Sequence, residues 1–216
     1  RAAAPHTTLS CRSDATGAAA GPSAGQTAEA IAAAATAFPK WRTTSPLVRF
    51  EALDRIGSEI LARVDELGDM LAREEGKTLP EATAEAHRAG HLFKYFAAES
   101  YRTNGDIYQS LRSGVSLKVL REPIGVVGVI TPWNFPLAIP SWKIAAALAY
   151  GNTVVFKPAE LVPGSAWMLS DIIARAGLPE GLLFYTSDAA DDLTRLALRG
   201  ARGSCRTNVT RRRRAM

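Results

Sequence analysis

Three polar residues in two short loops have side chains that could take part in chemistry. Asn134 follows the apolar run 124–130, and Lys157 and Glu160 follow a second apolar run, 153–156. An asparagine amide can donate a hydrogen bond to an oxyanion that develops on a carbonyl oxygen. A lysine and a glutamate side by side can bind the two hydroxyls of a ribose. The same residues allow another interpretation, in which Asn134 caps the next helix and Lys157 and Glu160 are solvated loop charges.

The elements around these loops predict an open parallel sheet. Three apolar runs are predicted as buried strands, with helices after the first and second: Ile124–Ile130, Thr153–Phe156 and Leu182–Phe184, with helices to about Tyr150 and over Ser165–Ala176. A strand without alternation of polar and apolar residues is typical of a strand buried on both faces. Strand, helix, strand, helix, strand implies right-handed crossovers and a partial Rossmann-like sheet, and therefore an α/β fold. Because ligands bind beyond the carboxyl ends of parallel strands, Asn134 and Lys157 are predicted at neighbouring strand ends in one ligand site.

The preceding part of the chain, from Gln26 to Tyr101, predicts an N-terminal helical region. Ser45-Pro46 is typical of a helix start and Gly76 of a helix end. Between them, large apolar residues recur every three or four positions and predict one continuous stripe: Phe50, Leu53, Ile56, Ile60, Val64, Leu67 and Leu71. A second helix is predicted from about Pro80 to Tyr101, and residues 115–119 alternate as in a half-exposed strand.

Composition and charge exclude several functional classes. Apolar residues make up 47 % and charged residues 22 %, as in a globular protein, and the sequence holds no apolar run long enough to span a membrane. The net charge of +5 arises in the last 24 residues, which contain eight arginines and no acidic residue. Without aromatic residues between them, Arg211–Arg214 do not predict nucleic-acid binding.

The cysteines and histidines predict neither a disulfide framework nor a metal site. Cys11 and Cys205 are the two cysteines, so a reducing compartment, the cytoplasm, is expected. His87 and His91 are spaced as on one helix face and could chelate a metal, but the sequence offers no third ligand. An exposed helix face is the simpler interpretation.

Several motifs of the predicted sheet occur together in a known order. The residues that carry the resemblance are PIGVVGVITPWNFP at Pro123–Pro136, GNTVV at Gly151–Val155, KPAE at Lys157–Glu160 and GLPEG at Gly177–Gly181. This series resembles the aldehyde dehydrogenase superfamily over about residues 26–184. The resemblance implies oxidation of an aldehyde to a carboxylate with a nicotinamide cofactor.

The resemblance also implies roles for individual residues. Asn134 would stabilise the oxyanion of the thiohemiacetal, and Lys143 would take part in proton relay. Lys157 and Glu160 would bind the adenosine ribose. The nicotinamide-ribose side of the cleft would be lined by Ile130, Thr131, Pro132 and Trp133. NAD is the expected cofactor, with NADP as the alternative, because Glu160 can accept from a ribose 2′-hydroxyl and would repel a 2′-phosphate.

The resemblance also suggests a substrate class and an oligomeric state. The segments near Lys77, Asp106 and Arg121 look most like enzymes that oxidise 2-oxoglutarate semialdehyde (2,5-dioxopentanoate). Succinate semialdehyde and aliphatic aldehydes are competing substrates. Full-length members of the family are homo-oligomers.

The sequence departs from the family at both ends. Residues 1–25 are expected to be disordered or aberrant, 26–184 to form a partial NAD(P)-binding domain, and 185–216 to be an aberrant basic tail. The family's Glu-Leu-Gly-Gly and Gly-Gln-x-Cys motifs, which hold its general base and nucleophile, do not occur. We therefore expect an incomplete aldehyde dehydrogenase fold from a truncated or frame-shifted reading, inactive by itself. The alternative is a non-catalytic nucleotide-binding module.

Overall fold

A computed structural model describes residues 24–102 and 105–185, which form a helical region, a hairpin and an α/β unit. The helices are α1 Ala24–Arg42, α2 Pro46–Ala62, α3 Val64–Glu75, α4 Leu79–Glu99, α5 Ala138–Ala149 and α6 Pro163–Arg175, with a 3₁₀ turn over Ser100–Arg102. The strands are β1 Asp106–Gln109, β2 Ser116–Val119, β3 Val126–Ile130, β4 Thr153–Lys157 and β5 Leu183–Tyr185. None of these helices is both long and apolar enough to cross a membrane.

The two predicted unstructured ends lie almost wholly outside the described residues. At their inner limits the structure differs from the prediction by one or two positions. Ala24 and Gly25 belong to α1, and Tyr185 belongs to β5.

The strands β3, β4 and β5 form a parallel sheet in that order, which confirms the predicted topology. Val126 pairs with Thr153 on one side of β4, and Val154 pairs with Leu183 on the other. Every residue of β4 is buried, as expected for the central strand of the three. The sheet therefore places the ends of β3 and β4 next to each other.

The first strand is less buried than predicted. It begins at Val126, so Ile124 precedes it and is 87 % exposed, and Ile130 at its end is 44 % exposed. The prediction of burial on both faces is wrong for this strand, which lies at the edge of the described sheet. An apolar run alone does not distinguish a central strand from an edge strand.

Apolar layers cover both faces of β4. Val154 and Phe156 face the main core, which α2 to α6 share, while Val155 packs against Ala30 and Ala34 of α1. The alternation follows from the two-residue period of a strand. The central strand β4 thus lies between α1 on one face and the main core of α2 to α6 on the other.

The predicted helical stripe is correct in its residues but spans two helices. The backbone leaves helical geometry at Arg63 (φ −113°, ψ 23°), where α2 ends and α3 begins. The stripe stays continuous because its members on both sides of the break are buried, including Ile60 and Val64. The start at Ser45, whose Oγ accepts from Val48 N, and the left-handed end at Gly76 (φ 78°) are confirmed.

Two glycines let α2 and α4 approach each other closely. A Cβ added at Gly57 would lie 2.9 Å from the carbonyl oxygen of Gly90, and one added at Gly90 would lie 2.6 Å from Leu61 Cγ. Both distances are too short for non-bonded atoms, so a larger residue at either position would force the two helices apart.

The C-terminal end of α5 is fixed by side chains from the helical region. Trp41 Nε1 donates to the carbonyl oxygen of Leu148 at 3.2 Å, and Arg49 Nη1 donates to that of Ala149 at 3.4 Å. Both donors are buried. They satisfy carbonyl groups that a helix end leaves without an intrahelical partner.

The hairpin of β1 and β2 was predicted only in part. Residues 116–119 form the expected strand, but all four are exposed rather than half-buried. Its antiparallel partner β1 was not predicted, because Asp106–Gln109 is short and shows no clear alternation.

Candidate functional site

The carboxyl ends of β3 and β4 lie side by side, as predicted. Ile130 pairs with Lys157 at the last position of the register, and Thr131 N donates to the carbonyl oxygen of Lys157 at 3.2 Å. The loop that carries Asn134 therefore leaves the sheet beside the loop that carries Glu160. This edge is where open parallel sheets bind ligands.

Lys157 and Glu160 form a pair of unequal burial. Lys157 is 7 % exposed at the end of the buried strand, whereas the Glu160 side chain is 63 % exposed. Lys157 Nζ lies 3.4 Å from Glu160 Oε1. The interpretation of both as solvated loop charges is wrong for Lys157, because an ammonium is buried only where partners compensate its charge. The pair offers a donor and an acceptor at one place, which suits neighbouring hydroxyls.

The loop after β3 leaves the Asn134 amide accessible. Thr131 is buried, while Pro132, Trp133 and Asn134 are exposed. The N-cap residue of α5 is Leu137, so the interpretation of Asn134 as the helix cap is wrong. Within the described part of the chain, the Asn134 side chain makes no hydrogen bond, and its amide donors are free to meet a ligand.

Two charged residues of the helical region bind this loop. Glu85, whose side chain is 2 % exposed, accepts hydrogen bonds at Oε1 from Leu137 N (2.9 Å) and Ala138 N (3.0 Å). Its other oxygen, Oε2, accepts from Lys77 Nζ at 2.6 Å. Lys77 Nζ also donates to the carbonyl oxygen of Asn134 at 3.3 Å and lies 4.7 Å from the ring centre of Phe135.

The charge of Lys77 is stabilised where it lies. Burial acts to lower the pKa of its ammonium, but the neighbouring carboxylates of Glu75 and Glu85 outweigh burial, and the pKa lies above its usual value. The Glu75 contact is an ion pair at 2.8 Å. Lys77 therefore stays charged while it holds the loop.

Lys77, Glu85 and Asn134 line one cleft of about 440 Å³, together with Phe135 and Arg88 of α4. The side chain of Arg88 is exposed and makes no ion pair with any described residue. The positive charge of Lys77, in contrast, is shared with two carboxylates. Arg88 is thus the positive charge of the cleft that could receive an anionic group.

A second carboxylate, which is half-buried, occupies the beginning of α6. Glu74 of α3 accepts hydrogen bonds from Gly164 N, from Ser165 N at 2.8 Å and from Ser165 Oγ at 2.6 Å. Helix N-termini are common sites for phosphate groups. With Glu85 at α5 and Glu74 at α6, both helices that follow β3 and β4 already have an anion from the same chain at that position.

The structure also places Lys143 and the two histidines of α4, for which the sequence suggested proton relay and metal binding. Lys143 lies on α5 with an exposed side chain. The rings of His87 and His91 stack with their centres 6.2 Å apart on α4. Among the described residues, no three potential metal ligands come together.

Comparison with known proteins decides the family. The sequence model of the aldehyde dehydrogenase family matches residues 10–198. The chain belongs to the aldehyde dehydrogenase family. This match extends on both sides of residues 26–184, where the motifs lie.

Curated aldehyde dehydrogenases resemble the chain over more than two thirds of its length. It is 42 % identical over 156 residues to the alpha-ketoglutarate semialdehyde dehydrogenase of Haloferax volcanii, which covers 72 % of this chain and 32 % of that protein. It is 41 % identical over 154 residues to the alpha-ketoglutaric semialdehyde dehydrogenase of Bacillus subtilis, which covers 71 % of this chain and 32 % of the other. The chain thus spans about a third of the length of these relatives.

Solved aldehyde dehydrogenases have the same fold over this span. The enzyme of Brucella melitensis biovar abortus 2308 superposes with a TM-score of 0.78 at 35 % identity, over 80 % of this chain and 36 % of that one. A variant betaine aldehyde dehydrogenase of Staphylococcus aureus in complex with NAD⁺ gives a TM-score of 0.71 at 33 % identity, over 74 % and 33 %. The expectation of an incomplete aldehyde dehydrogenase fold is confirmed.

The residues that support this aldehyde dehydrogenase loop were not predicted from the sequence. Glu85 and Leu137 are 52 positions apart, and Glu85 lies within a helix where charged residues are usually solvated. One feature of the sequence could have indicated that Glu85 is buried. It directly precedes Ala86 on the alanine-rich face of α4, and that face packs against other helices.

Proposed function

We propose that this chain supplies the cofactor-ribose site and the oxyanion-stabilising amide of an NAD(P)-dependent enzyme that oxidises an aldehyde to a carboxylate. The observation that carries the proposal is the shared sheet edge, where Thr131 N meets the Lys157 carbonyl oxygen and brings the Asn134 loop beside Lys157 and Glu160. In the overall reaction, the aldehyde carbon loses a hydride and gains an oxygen atom from water.

Each residue would contribute binding or electrostatic stabilisation. Lys157 would donate to a ribose hydroxyl, and Glu160 would accept from one. Ile130, Thr131, Pro132 and Trp133 would line the nicotinamide-ribose side of the cleft. Asn134 would donate its amide N–H to the carbonyl oxygen as negative charge develops there. Bound NAD(P) supplies the hydride acceptor. The exposed Lys143 is proposed for proton relay on the family resemblance alone.

The proposed substrate is a semialdehyde that carries a carboxylate, such as 2,5-dioxopentanoate. The names of the two curated relatives support this choice, and so does Arg88. A guanidinium binds a carboxylate through two parallel hydrogen bonds, and Arg88 lies in the cleft of Asn134 without an ion-pair partner among the described residues. A neutral aliphatic aldehyde would leave this charge unused.

A segment graft tests the activity. Residues 26–184, the proposed structural unit, replace the matching segment of the Bacillus subtilis enzyme, which supplies the other two thirds of the subunit. The graft should reduce NAD with 2,5-dioxopentanoate, and Asn134→Ala should lower kcat about 100- to 1000-fold, as expected for loss of one oxyanion donor. The control is Gln109→Ala, which removes an exposed amide on β1 and should leave kcat unchanged.

Two outcomes would contradict the proposal. If Asn134→Ala keeps kcat within about threefold, the amide does not stabilise an oxyanion. If the graft binds NAD but shows no turnover, the alternative of a non-catalytic nucleotide-binding module is favoured instead.

A second variant tests the substrate class. Arg88→Gln in the graft should lower kcat/KM for 2,5-dioxopentanoate by about tenfold or more, because a charge-assisted hydrogen bond is lost. It should not change kcat/KM for propanal. His87→Gln, at the neighbouring position on α4, serves as the matched control. An equal decrease for both substrates would exclude carboxylate recognition by Arg88.

A further inference from the structure

The central residues of the loop around Asn134 are not held in place by burial of their own side chains, although Thr131 before them and Pro136 and Leu137 after them are buried. Asn134 and Phe135 are both exposed, as are Pro132 and Trp133 before them. A segment without apolar burial needs other contacts to stay in one position, since fixing each residue costs conformational entropy. The buried residues fix the two ends of the loop, and at its exposed centre the contacts that could do this are the polar ones made by Lys77 and Glu85.

These contacts bind the loop at consecutive points. Lys77 Nζ fixes the carbonyl group of Asn134 and lies over the ring of Phe135, and Glu85 Oε1 fixes the amides of Leu137 and Ala138. The 2.6 Å bond between Lys77 and Glu85 joins the two halves. The loop from Asn134 to Ala138 is therefore attached to two side chains of the helical region.

We propose that Lys77 and Glu85 act as positioning residues for the Asn134 amide, so that the α3–α4 junction sets where the oxyanion donor lies. This inference rests on the proposed role of Asn134. Once the carbonyl group of Asn134 and the first turn of α5 are fixed, the side-chain torsions are the main freedom left to the amide. An oxyanion donor contributes only when it is held in advance near the place where charge develops.

The contact with Glu85 has a second effect on the site. The N-terminal amides of α5 carry partial positive charge, and Glu85 accepts hydrogen bonds from two of them. These amides are therefore not available as competing donors. Lys77 in turn compensates the negative charge that Glu85 brings into the cleft. The pair thus fixes the loop and removes the amides of Leu137 and Ala138 as competitors of the Asn134 amide.

The test uses amide signals of the 216-residue chain itself. The chain has four asparagines, so ¹⁵N-asparagine labelling gives few side-chain signals, and Asn134→Asp assigns the one of interest. Backbone assignment adds the amides of Leu137 and Ala138. Lys77→Met removes the charge at similar length, Glu85→Gln removes one charge and keeps an acceptor, and Lys77→Arg keeps the charge.

We expect Glu85→Gln and Lys77→Met to shift the Asn134 side-chain signals and to accelerate hydrogen exchange at Leu137 and Ala138 about tenfold, a local opening. Lys77→Arg should keep the Asn134 signals close to those of the wild type. The matched control is Glu74→Gln, which alters the equivalent contact at α6. It should accelerate exchange at Gly164 and Ser165 and leave Asn134 unchanged.

Several results would overturn the inference. Unchanged Asn134 signals in folded Lys77→Met and Glu85→Gln chains would show that the pair does not position the amide, and so would an equal change in Glu74→Gln. If the variants do not fold, the wild-type chain still decides. Rapid exchange of its Leu137 and Ala138 amides, at the rate of an unstructured peptide, would show that the Glu85 contact does not hold the loop. The activity of the Asn134→Ala graft is a separate readout, so either proposal can fail while the other stands.

Discussion

Arg49 should be one of the largest single contributors to the stability of the chain. Its guanidinium, in a residue 7 % exposed, donates to Thr44 Oγ1 (3.1 Å) and to the carbonyl oxygens of Ala149 (3.4 Å) and Arg42 (2.9 Å). The two carbonyl groups lie at the C-terminal ends of α5 and α1. Burial lowers the pKa of Arg49, which reflects the cost of desolvating its charge.

The magnitude follows from the hydrogen bonds that Arg49→Met would remove while it keeps much of the aliphatic stem. Each hydrogen bond to a charged donor contributes about 1.5–3 kcal/mol, and a cation at a partly buried helix C-terminus contributes up to about 2 kcal/mol. Release from desolvation offsets part of this sum. We expect a loss of about 3 kcal/mol in the free energy of unfolding, or about 6–12 °C in Tm for a domain of this size.

Urea unfolding followed by circular dichroism measures the loss. Arg73→Met is the control, because Arg73 makes an exposed ion pair with Asp69, and its removal should leave the midpoint unchanged. If Arg49→Met lowers the free energy of unfolding by less than about 1 kcal/mol, the reasoning is refuted, because the hydrogen bonds to the two helix ends would then make no net contribution to stability.

Three further results are expected. The pKa of Lys77 is raised, so the stability that its charge contributes is complete below the unfolded pKa of about 10.4 and is lost as pH rises through the folded pKa. Lys77→Met should therefore flatten the decline in the free energy of unfolding above about pH 10. Parallel declines in the wild-type chain and the variant would contradict this. In the graft, NAD should be preferred over NADP and Glu160→Gln should weaken the preference, whereas an NADP preference unchanged by Glu160→Gln would remove the proposed role of Glu160. The 216-residue chain by itself should produce no reduced nicotinamide from aldehydes, because the sequence has no cysteine in the family's nucleophile motif; turnover abolished by Cys205→Ser would show that this expectation is wrong.

The sheet could be predicted from the sequence because its signal is local. The runs at β3 and β4 are apolar over most of their length, and the strand-helix alternation leaves few possible topologies. The placement of the loop that carries Asn134 next to the end of β4 follows from that topology alone. The packing environment of β3 could not be predicted, since an apolar run does not state how many neighbours a strand has.

The contacts of three charged residues could not be predicted for a different reason. Glu74, Glu85 and Arg49 each meet a partner many positions away, and in sequence they look like ordinary charged residues on helix surfaces. Their contacts depend on how the helical region packs against α5 and α6. The break between α2 and α3 at Arg63 is similarly set by packing, since the apolar stripe continues through it.

The side chains that bind the ends of α5 and α6 are synthesised before the helices themselves. Trp41, Arg49, Glu74 and Glu85 all precede the helices they bind, so a ribosome has already released these partners when α5 and α6 begin to emerge. Domains tend to fold from the N-terminus during synthesis. The helical region can therefore act as a template: the first turns of α5 and α6 and the last turn of α5 meet these side chains as they leave the exit tunnel. A polypeptide that began at Gly105 would contain the whole sheet but would have to fold without these partners.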